Sequence, residues 1–390
     1  MQNLPLSVIP TAIDIDVTDD CNLRCVYCFK GPKTPRYTDL KTVRNAINWI
    51  IEASSHVSKI TVNLMGGEPL LCWDIIKEIV PWAKKRASSF NKDTYISMTT
   101  NLTLMNDEIR RFVDEYGMGI LMSIDGSPEI HNAQRCPLSP EHNFDLVEKW
   151  AKDLLRTRPR SDARMTLVPK NVSKLSKGFE YLVNKIGFQS VMISPAEYPD
   201  WTEEYFMEYK YQLNMIATFI KNAYLQKRIL KFNLFHWYIK KLVHPSSQGV
   251  KNLRERVSPC GAGYNYLMID FNGDIWPCHR FDNAIQKHNL DKELKMGNLY
   301  LDGFNDDLAH VFQTFNFLKM RPEKCMTCSI QEICCGGCPA ANLYYTKNIY
   351  LPHENVCKLH QIEYEVAENL YNDLIKMNLK SFEEDLKHPF

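Results

Sequence analysis

Short runs rich in β-branched residues alternate with longer amphipathic stretches from residue 12 to about residue 195. The short runs predict buried strands, and the longer stretches repeat their apolar residues with a helical period. The six predicted strands are Ala12–Val17, Lys59–Met65, Thr94–Thr99, Gly119–Ser123, Arg164–Leu167 and Ser190–Ser194. Helices are predicted between them, near Lys41–Ala53, Asp74–Ala87, Asp107–Tyr116, Asp145–Leu155 and Leu175–Lys185. Six such units predict an α/β fold for residues 1–200, a partial (β/α)6 TIM-like barrel of parallel strands.

The rest of the chain divides into three segments. Residues 201–256 are rich in aromatic residues at helical spacing and are expected to form a bridge that packs in the core, with the wall of a substrate channel as the alternative. Residues 257–360 are loop-rich and cysteine-rich, and begin with a predicted hairpin that turns at Asn272 and Gly273. Residues 361–390 are expected to form a C-terminal helix and a charged tail.

Composition narrows the classes of partner. Lys and Arg total 47 against 46 Asp and Glu, so the formal charge of +1 favours neither nucleic acid nor an anionic membrane. No basic leader and no long apolar run is present, so we expect a cytoplasmic protein that binds no nucleic acid and no membrane. The 13 cysteines of such a chain are more typical of metal binding or redox chemistry than of disulfides.

Three cysteines, Cys21, Cys25 and Cys28, directly follow the first predicted strand, at the end of a barrel where active sites are built. A four-iron cluster normally takes four thiolates, so three leave one iron open to another ligand. A structural zinc site is the alternative, and it would need a fourth ligand from elsewhere. The triplet therefore favours a catalytic iron–sulfur cluster.

The spacing Cys-x3-Cys-x2-Cys, with Tyr27 before the last cysteine, resembles the radical S-adenosylmethionine (radical SAM) superfamily. The run Gly66-Gly67-Glu68 at the end of the second strand is similar to that family's glycine-glycine-glutamate motif. The resemblance implies that the triplet holds a [4Fe-4S] cluster, that SAM binds its open iron, and that one electron cleaves SAM to a 5′-deoxyadenosyl radical. It also implies cofactor contacts from Tyr27, Gly66, Gly67, Glu68, Ser123 and Arg164.

Within that resemblance, Ser123 would contact the ribose of SAM and Arg164 its carboxylate. Asp125 is expected to organise its loop, and His131 to lie near the site.

Seven further cysteines resemble the SPASM extension of peptide- and protein-modifying radical SAM enzymes. The resemblance implies two auxiliary [4Fe-4S] clusters, and hence three clusters in all. Auxiliary cluster I would be held by Cys260, Cys278 and Cys338, and auxiliary cluster II by Cys325, Cys328, Cys334 and Cys357.

Two positions depart from the pattern of the related sulfatase-maturing enzymes. Auxiliary cluster I has only three cysteines, so either one iron is open to a substrate group or Cys72, Cys136, Cys335 or a non-cysteine ligand completes it. The residue after the second SPASM cysteine, an aspartate proposed as a base in those enzymes, is His279 here. Histidine also takes up a proton near neutral pH, so His279 is the candidate catalytic base.

Auxiliary clusters suit an oxidation, because a substrate radical must lose an electron to become a closed-shell product. We therefore predict an oxidoreductase, a peptide maturase that oxidises and above all crosslinks side chains of a ribosomally made precursor peptide. An electron donor such as flavodoxin or ferredoxin would be its partner. The alternatives are a sulfatase-type maturase that oxidises Cys or Ser to formylglycine and, in another class, a non-catalytic iron–sulfur electron carrier or a zinc-stapled binding module.

Overall fold

The computed structural model describes residues 8–379 and residue 382, except for residues 32, 197, 199, 244–259, 302 and 315–316. Its strands are β1 (Ala12–Thr18), β2 (Leu23–Cys25), β3 (Lys59–Gly66), β4 (Asp93–Thr100), β5 (Gly119–Ser123), β6 (Arg135–Pro137), β7 (Asp162–Leu167), β8 (Ser190–Pro195), β9 (Lys231–Phe232), β10 (Tyr266–Ile269), β11 (Asp274–Trp276) and β12 (Gly297–Asn298). The α-helices are α1 (Leu40–Ala53), α2 (Trp73–Ser88), α3 (Asp107–Glu115), α4 (Pro128–Gln134), α5 (Phe144–Thr157), α6 (Leu175–Tyr181), α7 (Glu203–Leu225), α8 (Asn233–Val243), α9 (Asp282–His288), α10 (Asp291–Leu294), α11 (Asp306–Thr314), α12 (Phe317–Met320), α13 (Pro339–Thr346) and α14 (Glu354–Lys376).

The main sheet confirms the predicted α/β class. Strands β1, β3, β4, β5, β7 and β8 lie side by side in parallel, as expected for six β–α units, and their bounds agree with the predicted ones to within two residues. The sheet has ten strands in the order β12-β11-β10-β1-β3-β4-β5-β7-β8-β9. The addition of β10 beside β1 was not predicted, and it joins the hairpin of the cysteine-rich segment to the edge of the sheet.

Both faces of the sheet are buried, but only one is apolar. In β1, Ile13, Ile15 and Val17 alternate with Asp14 and Asp16, and all five are at most 2% exposed. Successive side chains of a strand point to opposite faces. The apolar set therefore packs into the main core, and the polar set faces the other side of the sheet. Polar residues recur on that side in β3, β4, β5 and β7, where they line a cavity.

The described part of the aromatic bridge contains α7 and α8, and its residues 244–256 lie outside the described residues. Several of its aromatic side chains are buried, although Tyr211 and Trp237 are exposed. Both Tyr209 and Tyr238 donate hydrogen bonds to Glu363 of α14, at 3.0 and 3.1 Å. The bridge aromatics do not line the described cavities, so the channel-wall alternative is not supported and the packing interpretation is favoured.

The cysteine-rich segment starts with the predicted hairpin, in which β10 and β11 pair antiparallel around Gly273 at a φ of +79°. The C-terminal helix begins at Glu354, so the predicted boundary at residue 360 falls inside α14. Within the described residues, no helix combines the length and the apolar character that a bilayer crossing requires.

Candidate functional site

A cavity of about 780 Å³, here the central cavity, opens between the parallel strands and the cysteine-rich segment. Its lining includes residues of the parallel strands β1, β3, β4, β5 and β7, and the candidate site residues Cys21, Cys25, Cys28, Tyr27, Gly66, Gly67, Glu68, Ser123, Arg164 and His279. The fold thus brings the whole barrel set of predicted site residues together with His279 of the cysteine-rich segment.

The cysteine triplet lies on the loop after β1, and pairing of β2 with β6 holds the loop in place. Cys21 is buried, Cys25 is half-buried and Cys28 is exposed. Burial raises the pKa of Cys21 to about 12 and that of Cys25 to about 11. These two thiols are therefore protonated at neutral pH until a bound metal displaces the protons, so ligation releases protons. The Lys33 ammonium donates to the Cys28 sulfur at 3.0 Å.

The two glycines of the Gly66-Gly67-Glu68 motif are required by close packing against the cysteine loop. A Cβ at Gly66 would lie 2.2 Å from the Thr18 carbonyl oxygen, and one at Gly67 would lie 1.9 Å from the Asp20 carbonyl oxygen. The Gly67 and Glu68 backbone N–H groups donate to those same two carbonyls, at 2.7 and 2.9 Å. Gly66 also has a φ of +141°, which favours glycine.

Glu68 is a buried carboxylate whose oxygens are already engaged. It accepts hydrogen bonds from the Thr100 hydroxyl at 2.7 Å and from the N–H groups of Asn101 and Leu70 at 2.8 and 3.1 Å. Burial raises the pKa of Glu68 to about 7 in spite of these bonds. Glu68 therefore ties the ends of β3 and β4 together while it lines the central cavity.

Ser123 and Arg164 are direct neighbours across β5 and β7, and both line the central cavity. Burial, together with the positive charges of Arg280 and Arg135, lowers the pKa of Arg164 to about 10. The nearby carboxylate of Asp125 is taken by Arg135, which leaves the Arg164 guanidinium without an ion-pair partner among the described residues. Such a group is suited to bind an anionic ligand.

Asp125 organises this end of the sheet. It accepts two hydrogen bonds from Arg135 at 2.9 and 3.0 Å, one from the Tyr27 hydroxyl at 2.6 Å and one from the Thr166 N–H at 2.9 Å. His131 does not line the central cavity: its Nδ1 accepts from the Asp125 N–H at 3.4 Å, and burial lowers its pKa to about 3. A neutral, buried His131 supports the loop.

His279 reaches the central cavity from the segment after β11. Its Nδ1 lies 2.5 Å from a carboxylate oxygen of Asp14 and 2.7 Å from the Tyr266 hydroxyl, which also donates to Asp14. Burial raises the pKa of Asp14, but the hydrogen bonds from His279, Tyr266 and Asn63 and the charge of His279 together outweigh it and hold the pKa below its ordinary value. The Asn63 amide donates to the other Asp14 oxygen at 2.9 Å. An ionised carboxylate therefore orients the imidazole toward the cavity.

The C-terminal cysteines fall into two neighbourhoods. Burial raises the pKa of Cys278 well above its ordinary value, and the nearby Cys338 and Cys260 raise it further. The first neighbourhood thus holds Cys278, Cys338 and Cys260. In the second, burial raises the pKa of Cys357, and the nearby Cys325 and Cys328 raise it further.

In the second neighbourhood, burial raises the pKa of Cys334 to about 11, with contributions from Cys335 and Cys357. In the described part of the chain, no three Cys, His, Asp or Glu side chains are arranged to hold a single metal ion.

The three cysteines left over have neighbours elsewhere. The Cys72 thiol donates to the Val17 carbonyl at 3.4 Å, Cys136 lies opposite Arg24 in the β2–β6 pair, and Cys335 accepts from Lys241 at 3.6 Å beside Cys334. None of these positions favours completion of auxiliary cluster I.

Comparison with protein families agrees with this geometry. The model of the radical SAM superfamily matches residues 15–172, and that of the SPASM iron–sulfur cluster-binding domain matches residues 260–338. The chain carries a radical SAM domain followed by a SPASM domain. Its two domains imply [4Fe-4S] clusters and SAM as cofactors.

Several characterised relatives align with most of this radical SAM protein. A cysteine-type anaerobic sulfatase-maturating enzyme of Clostridium perfringens is 23% identical over 82% of this chain and 85% of its own. The radical SAM cyclopropyl synthase TigE of Paramaledivibacter caminithermalis is 26% identical over 90% of this chain and 72% of its own. A 34% identical match to an uncharacterized protein of Methanocaldococcus jannaschii covers only 29% of this chain and 37% of that protein.

Solved structures show the same fold. Native anSMEcpe with bound AdoMet superposes with a TM-score of 0.75 at 19% identity, covering 94% of this chain and 99% of its own. Streptococcus suis SuiB bound to the precursor peptide SuiA has a TM-score of 0.61 at 17% identity, and the match covers 90% of this chain and 76% of the SuiB chain.

Sequence reasoning missed the residues that surround His279 in this radical SAM protein. Asp14, Asn63 and Tyr266 form its hydrogen-bond network, and Arg135 and Arg280 add positive charge to the cavity. One signal was present: Asp14 and Asp16 alternate with apolar residues in a strand that is buried on both faces. Such strands are usually apolar throughout, so polar residues in them mark a site.

Proposed function

We propose that this protein is a peptide maturase that generates a 5′-deoxyadenosyl radical and oxidatively modifies, above all crosslinks, side chains of a ribosomally made precursor peptide. The observation that carries the proposal is the central cavity, whose lining combines the cysteine triplet, the candidate SAM contacts and His279 of the SPASM region. A radical formed at the triplet would therefore act within reach of His279.

The residues present fit the cofactors. Cys21, Cys25 and Cys28 would hold the first cluster, the unpaired Arg164 would bind the carboxylate of SAM, and Ser123 would contact its ribose. Tyr27 supports this wall through Asp125, and the two glycines hold the cysteine loop against the motif. When bound, SAM and the three clusters would supply the radical and an acceptor for the substrate's second electron.

His279 is the proposed base of the reaction. The substrate would lose one hydrogen atom to the 5′-deoxyadenosyl radical, one proton to His279 and one electron, and the new bond would form between the oxidised positions. Asp14 would position the imidazole and stabilise it when it is protonated, as an ionised carboxylate does for a neighbouring histidine.

The likeness to other family members supports a peptide substrate. SuiB is seen with its precursor peptide SuiA, and anSMEcpe with the Cp18Cys peptide. The sulfatase-type reaction is the second candidate, because a sulfatase-maturating enzyme aligns with 82% of this chain. The histidine at position 279 argues against it, since the resemblance implies an aspartate there.

The first experiment tests radical chemistry. Protein purified without oxygen and reconstituted with iron and sulfide should hold about twelve iron atoms in three clusters and release 5′-deoxyadenosine from SAM with dithionite. A variant with Cys21, Cys25 and Cys28 all changed to Ala should lose the cleavage and about a third of the iron. Bound zinc without cleavage would contradict the proposal.

The second experiment separates the two reactions. A precursor peptide encoded beside the gene should lose two hydrogen atoms, detected by mass spectrometry, and His279→Gln should stop this loss while SAM cleavage continues. A synthetic sulfatase peptide should remain unchanged. Formation of an aldehyde on that peptide would establish the sulfatase-type reaction instead.

A further inference from the structure

A second cavity of about 330 Å³ lies next to the central cavity, and Lys30 and His279 line both. We call it the aspartate cavity, because six aspartates line it against three basic side chains, Lys30, Arg36 and His279. The six are Asp16, Asp19, Asp270, Asp274, Asp282 and Asp291.

Some of this negative charge is compensated within the protein. Asp19 pairs with Arg36 at 2.5 Å, and Asp274 pairs with Lys295. Asp270 accepts hydrogen bonds from the hairpin N–H groups and from the Trp276 indole at 3.1 Å. The most deeply buried of the six carboxylates, Asp16, lies beside Lys30.

Lys30 is a buried ammonium that three carboxylates surround. The Lys30 ammonium pairs with Asp16 and lies 4.0 Å from an oxygen of Asp19, and the negative charge of Asp282 raises its pKa. Since Arg36 already neutralises Asp19, Asp16 and Asp282 share a single ammonium. Burial raises the pKa of both Asp16 and Asp282, and the attraction of Lys30 does not outweigh it.

One oxygen at the centre of this group has no partner. The Asp16 side chain is 1% exposed, and its Oδ1 accepts no hydrogen bond from any described residue, although Asp16 lines the cavity. A buried carboxylate oxygen left without a donor destabilises the folded state. A donor that enters the aspartate cavity would satisfy it.

The donor is not a metal ion or a cluster. No three acidic, histidine or cysteine side chains of the described residues are arranged to hold a metal ion. Of the three cysteines that would hold auxiliary cluster I, only Cys278 lines this cavity. An ammonium or guanidinium group, which brings positive charge and directed N–H donors, fits both the charge and the unpartnered oxygen.

The size and position of the cavity indicate the source of that group. Its volume is at the lower end of the range of about 300–1,000 Å³ for ligand pockets, enough for one long side chain. Met268 and Ile285 in its lining suit an alkyl stem. Because it shares Lys30 and His279 with the central cavity, a residue beside the reacting one could place its side chain there.

We propose that the aspartate cavity binds the cationic side chain of a lysine or arginine residue of the peptide substrate, held by Asp16 and Asp282. This inference rests on the proposed function for its choice of a peptide as the ligand. The uncompensated charge and the unpartnered Asp16 oxygen do not depend on that function.

The test uses the reconstituted holoenzyme saturated with SAM and measures binding by saturation-transfer NMR. The probes are N-acetyl-L-arginine amide, N-acetyl-L-lysine amide and, as the uncharged control, N-acetyl-L-citrulline amide. We expect at least one cationic probe to bind at least tenfold more tightly than citrulline amide. Asp282→Asn should weaken that binding at least tenfold, with Asp16→Asn as the second variant. Asp74→Asn, at an exposed position of α2, should leave the binding unchanged.

Equal binding of the charged and uncharged probes would overturn the proposal. It would also be overturned if both aspartate variants bound the probe as tightly as the wild type does, or if stoichiometric Mg²⁺ or K⁺ displaced the probe. Cleavage of SAM without peptide, measured on the same samples, should be unchanged in Asp282→Asn. Selective binding with no SAM cleavage in the wild type would overturn the proposed function alone. Cleavage without selective binding would overturn the cation site alone.

Discussion

The close contact between Gly67 and the cysteine loop leads to a specific prediction for the radical site. In Gly67→Ala, the new Cβ would lie 1.9 Å from the Asp20 carbonyl oxygen, one residue before Cys21. A carbon and an oxygen in close contact lie about 3.3 Å apart, so the loop and the motif must separate by about 1.4 Å. The separation also stretches the hydrogen bonds from Gly67 and Glu68 to the loop.

Misplacement of reacting groups by about 1 Å is enough to cost about a hundredfold in rate, so Gly67→Ala should reduce 5′-deoxyadenosine formation at least about a hundredfold. The assay is SAM cleavage with dithionite after reconstitution, together with the iron content. The fold should persist, because overpacking costs about 1–3 kcal/mol. Iron in the SPASM clusters should be retained.

Gly117→Ala is the matched control. Gly117 has a φ of +59°, but a Cβ added there would meet no atom within 4 Å beyond its chain neighbours, so alanine adds backbone strain of about 1–2 kcal/mol without a collision. SAM cleavage by this variant should stay near that of the wild type. Wild-type cleavage by Gly67→Ala, or an equal loss in Gly117→Ala, would refute the argument from the loop contact.

Three further predictions follow from single residues. Arg164→Met should raise the SAM concentration needed for half-maximal cleavage about tenfold or more, because the cavity loses its guanidinium. Arg86→Met, which removes a hydrogen bond to Asn48 and a contact with the Phe90 ring away from the cavity, should not raise it. Burial raises the pKa of Glu68 to about 7. The contribution of Glu68 to the free energy of unfolding should therefore fall by about 3 kcal/mol as the pH rises from about 4.5 to 7. Urea unfolding should show this decrease in the wild type and no such decrease in Glu68→Gln. Glu363→Leu should lower the free energy of unfolding by about 2 kcal/mol, because two buried tyrosine hydroxyls lose their acceptor. SAM cleavage by the folded protein should be retained. An unchanged melting temperature would contradict the predicted loss of stability.

The sequence predicted the parallel strands well because each is a short apolar run followed by a long amphipathic helix. The same reasoning placed the cysteine triplet and the glycine motif at strand ends, where the cavity forms. It did not predict that β10 would pair with β1, since that contact joins residues more than 250 positions apart and depends on shape rather than local pattern. His279 reaches the cavity only through this pairing.

The pairing of β10 with β1 also accounts for the polar strand β1. Asp14 lies opposite Met268 in the register, and the neighbouring Tyr266 and His279 both reach its carboxylate. Two residues further along the same face, Asp16 holds Lys30 between the two cavities. Two aspartates in a strand that is buried on both faces are costly unless each has a partner, because burial disfavours the charged form. Asp14 is satisfied within the protein, whereas Asp16 retains one oxygen without a donor. The two aspartates of β1 therefore belong to two adjacent sites. Asp14 orients the proposed base, and Asp16 is part of the proposed cation site.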